Sequence, residues 1–139
     1  MNHSTEKNKQ IVTRFNKEVL EQGNQRSFAE LVAEDCINHA AVPGVPAGKE
    51  GMNYFILGVL RTAFPDLKVN IYSQVAEGDL VTTRKSILAT HTGEFLGIAP
   101  THKAVEIEVI DIIKLKDGQY AEHWGISNIP SVMAQLSTV

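Results

Sequence analysis

The stretch VEIEVIDIIKLKDGQYAEHWGIS, residues 105–127, decides the fold, because it predicts two β-strands joined by a tight turn. Successive residues of a strand point to opposite faces, so every second residue lies on the same face. One face of the first strand carries, in order, Val105, Ile107, Val109, Asp111, Ile113 and Leu115. Asp111 is the only charged residue in this apolar row, and burying an unpaired charge is very unfavourable. Its carboxylate must therefore be paired, hydrogen-bonded, protonated or next to a cavity.

The length of the turn decides which residue faces Asp111. A two-residue turn, Asp117-Gly118, places Asp111 opposite Trp124, whereas a three-residue loop that includes Lys116 places it opposite His123. We favour the three-residue loop, because Gly118 can adopt a positive φ at its last position. The predicted inner face is then Ala121, His123, Gly125 and Ser127, and the predicted outer face is Tyr120, Glu122, Trp124 and Ile126.

The resulting pair of Asp111 and His123 is the first candidate site. Pairing raises the pKa of a histidine and lowers that of an aspartate, while desolvation acts in the opposite direction on both. A His–Asp pair in an apolar pocket is suited to proton transfer, which contributes about 10²–10⁴-fold in rate. In the structural alternative, Asp111 is satisfied by backbone N–H groups or ordered water.

The rest of the chain predicts an α+β fold in a single domain, residues 1–139. Apolar residues at helical spacing indicate helices at residues 5–22, 27–32 and 52–63, and alternation predicts strands at 67–75 and 80–91. Ser27 and Glu30 have capping-box spacing at the start of the second helix. This order favours helices packed on one face of a curved antiparallel sheet, an arrangement that can enclose a pocket.

Composition excludes several functional classes. The chain has 139 residues, 43% hydrophobic and 21% charged, with a net charge of -3 and no block of Lys or Arg, so we expect neither nucleic acid nor a membrane as partner. The N-terminal segment MNHSTEKNKQ has no apolar core, and we expect a cytoplasmic protein. Cys36 is the only cysteine, which excludes an intrachain disulfide and a cysteine-based zinc site.

The predicted outer face of the sheet is apolar. Ile110, Ile112 and Trp124 would form an exposed patch there, and such patches are typical of subunit interfaces. The sequence therefore predicts a homodimer through the outer face of the sheet.

Four tracts resemble the SnoaL-like polyketide cyclases, also called predicted ester cyclases, of the nuclear-transport-factor-2-like superfamily. They are THTGEFLGIAPT (residues 90–101), DGQYAEHWG (117–125), INHAAVPG (37–44) and GKEGMNYF (48–55). The resemblance covers nearly the whole chain. It implies a cystatin-like, cone-shaped half-barrel of curved antiparallel sheet, closed by N-terminal helices around a pocket. It also implies an intramolecular aldol condensation on a polyketide ester, with an aspartate as acid/base and without metal or cofactor.

The chain departs from the family at the catalytic aspartate. The resemblance places that aspartate two residues after His123, where this chain has Gly125. A relocated base, with Asp111 and His123 as catalytic residues, and a loss of cyclase activity are both open. The predicted pocket residues are Asn38, His39, His91, Glu94, Phe95, Val109 and Gly125.

Three functions are therefore compared. The first is a cofactor-independent cyclase, isomerase or hydrolase acting on a small apolar carbonyl compound in an internal cavity. The second is a non-catalytic module that binds a small apolar ligand or forms dimers, and Gly125 favours it. The third makes His39, His91, His123 and Asp111 metal ligands, although they lack the close spacing of a typical site.

Overall fold

The computed structural model describes residues 2–138 and consists of one five-stranded sheet with helices on its concave side. The first helix is Asn2–Phe15 (α1), which continues as the π-helical segment Asn16–Glu21 (π1), and the second is Gln25–Leu31 (α2). The third is Lys49–Asn53 (α3), which continues as the π-helical segment Tyr54–Leu60 (π2) and then as Arg61–Ala63 (α4). The last helix is Ile129–Ser137 (α5). The strands are Val32–Asn38 (β1), Lys68–Glu77 (β2), Leu80–Thr90 (β3), Ala104–Lys116 (β4) and Gln119–Ser127 (β5). The predicted α+β class is confirmed.

The strands follow the order β1-β5-β4-β3-β2, so the curved sheet has two free edges and does not close on itself. Strands β2 to β5 are antiparallel, as the alternating pattern predicts. The sheet is mixed rather than purely antiparallel, because β1 pairs with β5 in parallel. This pairing brings the end of β1, at Asn38, beside His123.

The N-cap of the second helix lies three residues earlier than its capping-box pattern predicts. The side chain of Asn24 accepts a hydrogen bond from the backbone N–H of Ser27 at 3.1 Å, so Asn24 is the N-cap and α2 begins at Gln25. The Ser27 hydroxyl instead donates to Glu18 at 2.6 Å, which ties α2 to π1.

The turn between β4 and β5 differs from the predicted three-residue loop. Lys116 pairs with Gln119, which leaves a two-residue turn in which Asp117 and Gly118 have φ values of 52° and 78°. Positive φ at both positions defines the type I′ turn, whose twist matches that of a hairpin. The short turn alone would place Asp111 opposite Trp124.

A β-bulge restores the predicted face of the last strand. Lys114 pairs with Glu122 but Leu115 pairs with Tyr120, so Ala121 is an extra residue in β5. The bulge shifts the register by one, and Asp111 lies opposite Gly125 rather than His123. It also reverses the predicted orientation of Tyr120, which is buried and stacks on Phe15 with 4.3 Å between ring centroids.

The core lies between the helices and the inner face of the sheet. In β4 the predicted apolar row is buried except for the partly exposed Val109, and Asp111 is buried within that row. The outer face leaves Ile110 and Ile126 opposite one another and exposed to 44% and 73%. The sheet therefore has one face covered by helices and one apolar face without cover in the single chain.

No helix within residues 2–138 combines the length and the apolar character needed to cross a membrane.

Candidate functional site

A cavity of about 630 Å³ lies between the inner face of β3, β4 and β5 and the helices. Most of its wall is apolar, with Phe55 and Ile56 from the helical side and Ile107 and Val109 from the sheet. The loop after β1, the start of α5 and Leu96 also contribute to the wall. The polar side chains in the wall are those of Asn38, Lys85, Asp111, Tyr120, His123 and Ser127.

Asp111 lies in the inner row of β4, and its side chain is only 8% exposed. Its Oδ2 atom is 3.4 Å from Lys85 Nζ and 3.5 Å from His123 Nε2. Its Oδ1 atom is buried and has no hydrogen-bond partner in the part of the chain that the structure describes. Burial raises the pKa of Asp111, but Lys85 and His123 stabilise the charged form, and the pKa lies below its ordinary value. The carboxylate is therefore ionised at neutral pH.

His123 is held on its other side by Asn38, its neighbour in the parallel strand pair. His123 Nδ1 is 2.7 Å from Asn38 Oδ1, which also accepts a hydrogen bond from the backbone N–H of Ala40 at 3.0 Å. This oxygen is thus an acceptor, so Nδ1 of His123 carries a proton and donates it. The Nε2 atom, facing Asp111, completes a hydrogen bond only when it too is protonated.

Lys85 is a site residue that the sequence analysis missed. It lies in the inner row of β3 opposite Val109, and its side chain is 6% exposed. The ammonium group donates to Asn16 Oδ1 at 2.6 Å, and Asn16 Nδ2 in turn donates to the Val12 carbonyl at 2.8 Å. The strand reads TTRKSIL and shows no clean alternation, so period alone does not distinguish the buried lysine from the exposed Arg84 beside it.

Gly125 provides the space in which the Asp111–His123 pair forms. A Cβ atom at this position would lie 3.2 Å from Asp111 Cβ and 3.3 Å from His123 Nε2. Both distances are shorter than ordinary van der Waals contact. A larger residue at 125 would therefore have to displace one member of the pair.

His39 does not line the cavity, although it was predicted to. Its ring stacks on Trp124 at 4.8 Å between centroids, and Nε2 is 2.9 Å from Glu122 Oε1. Successive residues of an extended chain point to opposite sides, so Asn38 faces inward and His39 lies on the outer face of the sheet. Grouping the two as pocket residues was wrong for this reason.

The segment between β3 and β4, residues 91–103, is hereafter the rim loop. His91 is fully buried beside Phe64, and its Nδ1 accepts a hydrogen bond from the backbone N–H of Thr101 at 3.2 Å. Phe95 is also fully buried against Phe64, at 5.0 Å between ring centroids. These side chains pack inside the rim loop and against the end of the helical layer rather than at the cavity.

The rim loop reaches the cavity through a residue that was not predicted. Glu94 is exposed and absent from the cavity wall, whereas Leu96, with φ of 48°, belongs to it. Of the predicted pocket residues, His91, Glu94 and Phe95 are therefore absent from this wall, while Asn38, Val109 and Gly125 belong to it. The catalytic roles of Asp111 and His123 remain predictions.

The four residues of the metal hypothesis are not assembled into one site. His39 is on the outer face, His91 is inside the rim loop, and only His123 and Asp111 are neighbours. Among residues 2–138 no group of three or more His, Cys, Asp or Glu side chains is close enough to hold a metal ion.

Comparison with known proteins supports this architecture. IdmH from Streptomyces antibioticus, a candidate polyketide cyclase, is 29% identical with a TM-score of 0.78, over 94% of this chain and 99% of IdmH. TsrD from Streptomyces laurentii is 25% identical with a TM-score of 0.82, over 96% of each chain. A candidate SnoaL-like polyketide cyclase from Jannaschia sp. CCS1 is 25% identical with a TM-score of 0.85, over 97% of this chain and 94% of that one. No match was found among curated proteins.

The family model for SnoaL-like polyketide cyclases matches residues 10–136, which is nearly the entire chain. The tracts that carry the resemblance in the sequence all lie within this range. The chain therefore belongs to the SnoaL-like polyketide cyclase family.

Proposed function

We propose that the protein is an enzyme that moves a proton next to the carbonyl group of a small apolar carbonyl or ester compound, in a cyclase-type reaction without a cofactor. The observation that carries this proposal is the buried carboxylate of Asp111 at the wall of an apolar cavity, in contact with His123. The cavity volume of about 630 Å³ falls within the usual range for small-molecule sites. The membership of the SnoaL-like family supports the reaction class.

Asp111 is assigned as the base. Because its pKa lies below the ordinary value, the carboxylate is in the form that accepts a proton. The side chain of Asp111 belongs to the cavity wall and is 8% exposed, so its carboxylate can take a proton from a C–H group of a ligand. The electron pair of that C–H bond then forms an enolate.

His123 is assigned as the acid. Asn38 fixes its ring and holds the Nδ1 proton, so Nε2 is the nitrogen that exchanges protons. An Nε2–H group can protonate the second carbonyl oxygen as the new carbon–carbon bond forms. Asp111, 3.5 Å away, can return the proton that it removed.

The family resemblance gives this assignment a structural reason. The family's catalytic aspartate corresponds to Gly125, and Gly125 is the cross-strand partner of Asp111. Directly opposite residues of an antiparallel pair point to the same face of the sheet. A carboxylate supplied from β4 can therefore serve the same side of the cavity as one supplied from β5.

A non-catalytic binding protein is the second candidate, favoured by the same glycine. Without the family's aspartate, the apolar cavity would still bind a small ligand through its wall. The two candidates differ only in whether Asp111 takes a proton from the ligand.

Hydrogen–deuterium exchange at carbon separates the two candidates. The protein is incubated in D₂O with a panel of cyclic β-diketones and β-keto esters, and deuterium incorporation is followed by mass spectrometry. We expect the wild type to accelerate exchange, and Asp111→Asn and His123→Gln to lose about 10²–10⁴-fold of that acceleration. Glu108→Gln is the matched control, because Glu108 is exposed on the opposite face of the same strand.

Two results would contradict the enzymatic proposal. Binding of panel members without accelerated exchange in the wild type favours the binding module. Exchange that is equally fast in Asp111→Asn and His123→Gln means that these residues are not the acid and base. Thermal unfolding of each variant shows whether a lost activity reflects a lost fold.

We also propose a homodimer through the outer face of the sheet. Ile110 lies opposite Ile126 and Ile112 lies opposite Trp124, so these four side chains form one continuous apolar patch. Light scattering on the wild type should give twice the chain mass. Ile110→Lys with Ile126→Lys should give a monomer, and a wild type that is monomeric at high concentration would contradict the proposal.

A further inference from the structure

The ammonium group of Lys85 is the one buried cation in the wall of the cavity, among the residues that the structure describes. It is held in place from behind by Asn16, whose own amide is anchored on the backbone of α1. A lysine side chain is flexible in solution, and this hydrogen bond, at 2.6 Å, removes much of that freedom. Lys85 is thus positioned before any ligand arrives.

The hydrogen-bonding capacity of Lys85 is only partly used. An ammonium group has three N–H donors. Two of them are accounted for by Asn16 Oδ1 and Asp111 Oδ2, at 2.6 Å and 3.4 Å. Within residues 2–138 the third has no acceptor, and the Oδ1 atom of Asp111 has no donor. A free donor of Lys85 and the carboxylate of Asp111 therefore lie side by side in a wall that is mostly apolar.

The charges of this pair are matched before a ligand enters and are rearranged when a proton moves. In the resting site, the positive charge of Lys85 is balanced by the carboxylate of Asp111. When Asp111 takes a proton from a ligand, it becomes neutral and no longer balances Lys85. At the same moment the ligand acquires a negative charge on its carbonyl oxygen. The cation changes its partner from Asp111 to this oxygen, and no charge has to enter or leave the cavity.

We infer that Lys85 is a third catalytic residue, which stabilises the oxyanion of an enolate by donating its free N–H to the ligand's carbonyl oxygen. The C–H bond of the ligand breaks, its proton goes to the carboxylate of Asp111, and its electron pair becomes the enolate. The ligand is accordingly a neutral carbonyl compound with an acidic C–H group. A preformed carboxylate is disfavoured, because it would compete with Asp111 for the same cation. This inference rests on the proposed function for the identity of the oxyanion.

A phenol probe tests the role of Lys85 without turnover. The two forms of 4-nitrophenol differ in colour, so absorbance reports the pKa of the bound probe, and the phenolate imitates an enolate. Asp111→Asn removes the competing carboxylate and is compared with Asp111→Asn/Lys85→Met. We expect the bound probe to have a pKa lower by at least about one unit in the variant that retains Lys85. Nuclear Overhauser contacts with the methyl groups of Val109 place the probe in the cavity.

The expected order of the probe's pKa in the wild type and in Lys85→Met makes the test stricter. The wild type should lie between Asp111→Asn and Lys85→Met, because its cation is partly balanced. Lys85→Met, with an unbalanced carboxylate, should show the highest pKa of the bound phenol. If Lys85→Met does not fold, the comparison of the two Asp111→Asn proteins stands on its own, because neither has a buried carboxylate without a partner.

Equal probe pKa values in Asp111→Asn and Asp111→Asn/Lys85→Met would overturn the inference. So would a failure of Asp111→Asn to bind the phenolate. The failure of the proposed function is a different result. If carbon exchange is absent but the probe responds to Lys85, the protein is an anion-stabilising binder. If exchange depends on Asp111 and His123 but the probe ignores Lys85, the acid and base remain and Lys85 is structural.

Discussion

The protein contains two histidines inside the fold, the fully buried His91 and the partly buried His123, that a sequence pattern does not separate, and the structure assigns them different properties. His123 is part of the cavity wall and is linked to Asn38, Asp111 and, through Asp111, to Lys85. His91 is fully buried between Phe64 and Thr101 and is not part of that wall. A polar partner is common to both. The difference is access to space that a ligand can occupy, and this is what makes His123 the functional candidate.

The largest expected difference between the two histidines is in activity. His123→Gln should reduce carbon exchange by about 10²–10⁴-fold, since the acid is lost. His91→Gln should leave exchange within a few fold of the wild type, because its side chain is not part of the cavity wall. Rates measured in parallel with the same diketone test this. A loss of exchange in His91→Gln, with an unchanged melting temperature, would contradict the distinction.

The next largest effect concerns the stability of the polar network around His123. Lys85→Met should lower the free energy of unfolding by about 3–5 kcal/mol, because it leaves Asp111 buried without its cation. Lys85→Met/Asp111→Asn should recover a large part of this loss, since no unpaired charge remains. Denaturant titrations of both proteins provide the measurement. A double variant no more stable than the single one would show that Lys85 acts through packing alone.

A smaller effect is expected from adding one methyl group between Asp111 and His123. The Cβ of Gly125→Ala would approach both side chains, so the ring of His123 must move by a few tenths of an ångström. We expect about a tenfold loss of exchange, because catalytic geometry tolerates little displacement, and about 1 kcal/mol of lost stability. Gly58→Ala is the control, because the added Cβ there meets only Tyr54, at 3.5 Å. Equal effects of the two changes would remove the special role of Gly125.

The smallest expected effect is a pH dependence of stability that arises from His91. Burial lowers the pKa of His91, and the nearby His102 acts in the same direction. The unfolded chain therefore binds a proton more readily than the folded protein, and stability decreases as the pH falls through about 6.5. His91→Gln should remove this part of the decrease. Melting temperatures between about pH 8 and about pH 5, roughly 1.5 units on each side of the ordinary histidine pKa, would show it, and parallel curves for both proteins would contradict it.

The sequence predicts much of the fold because its strongest patterns are local. The apolar row of β4 identifies Asp111 as an inward-facing charge, and the structure places it there. The inner face of β5 is also predicted correctly from His123 onward. The three-residue loop on which this prediction rested was wrong. The turn is one residue shorter, and the bulge at Ala121 compensates for the difference. The strand register depends on such single residues, and the alternation of apolar and polar residues does not reveal them.

The parts of the site that the sequence does not predict are those created by tertiary contact. Lys85 reads as an exposed strand lysine, and only Asn16, 69 residues away, explains its burial. His39 and Asn38 are adjacent in sequence, and the parallel pairing with β5 determines which of them faces the cavity. The aromatic packing of His91 on Phe64 likewise joins the rim loop to a residue that directly follows α4 and is separated from the loop by β2 and β3 in the sequence.

The extra residue at Ala121 makes the last hairpin tolerant of a change in length. Deletion of this single codon would leave Leu115–Tyr120 and Lys114–Glu122 as successive pairs, so the imidazole of His123 would stay in the chamber and the indole of Trp124 outside it. Reinsertion would restore only the local irregularity. A three-nucleotide length change at this point of the scaffold is thus silent for its chemistry.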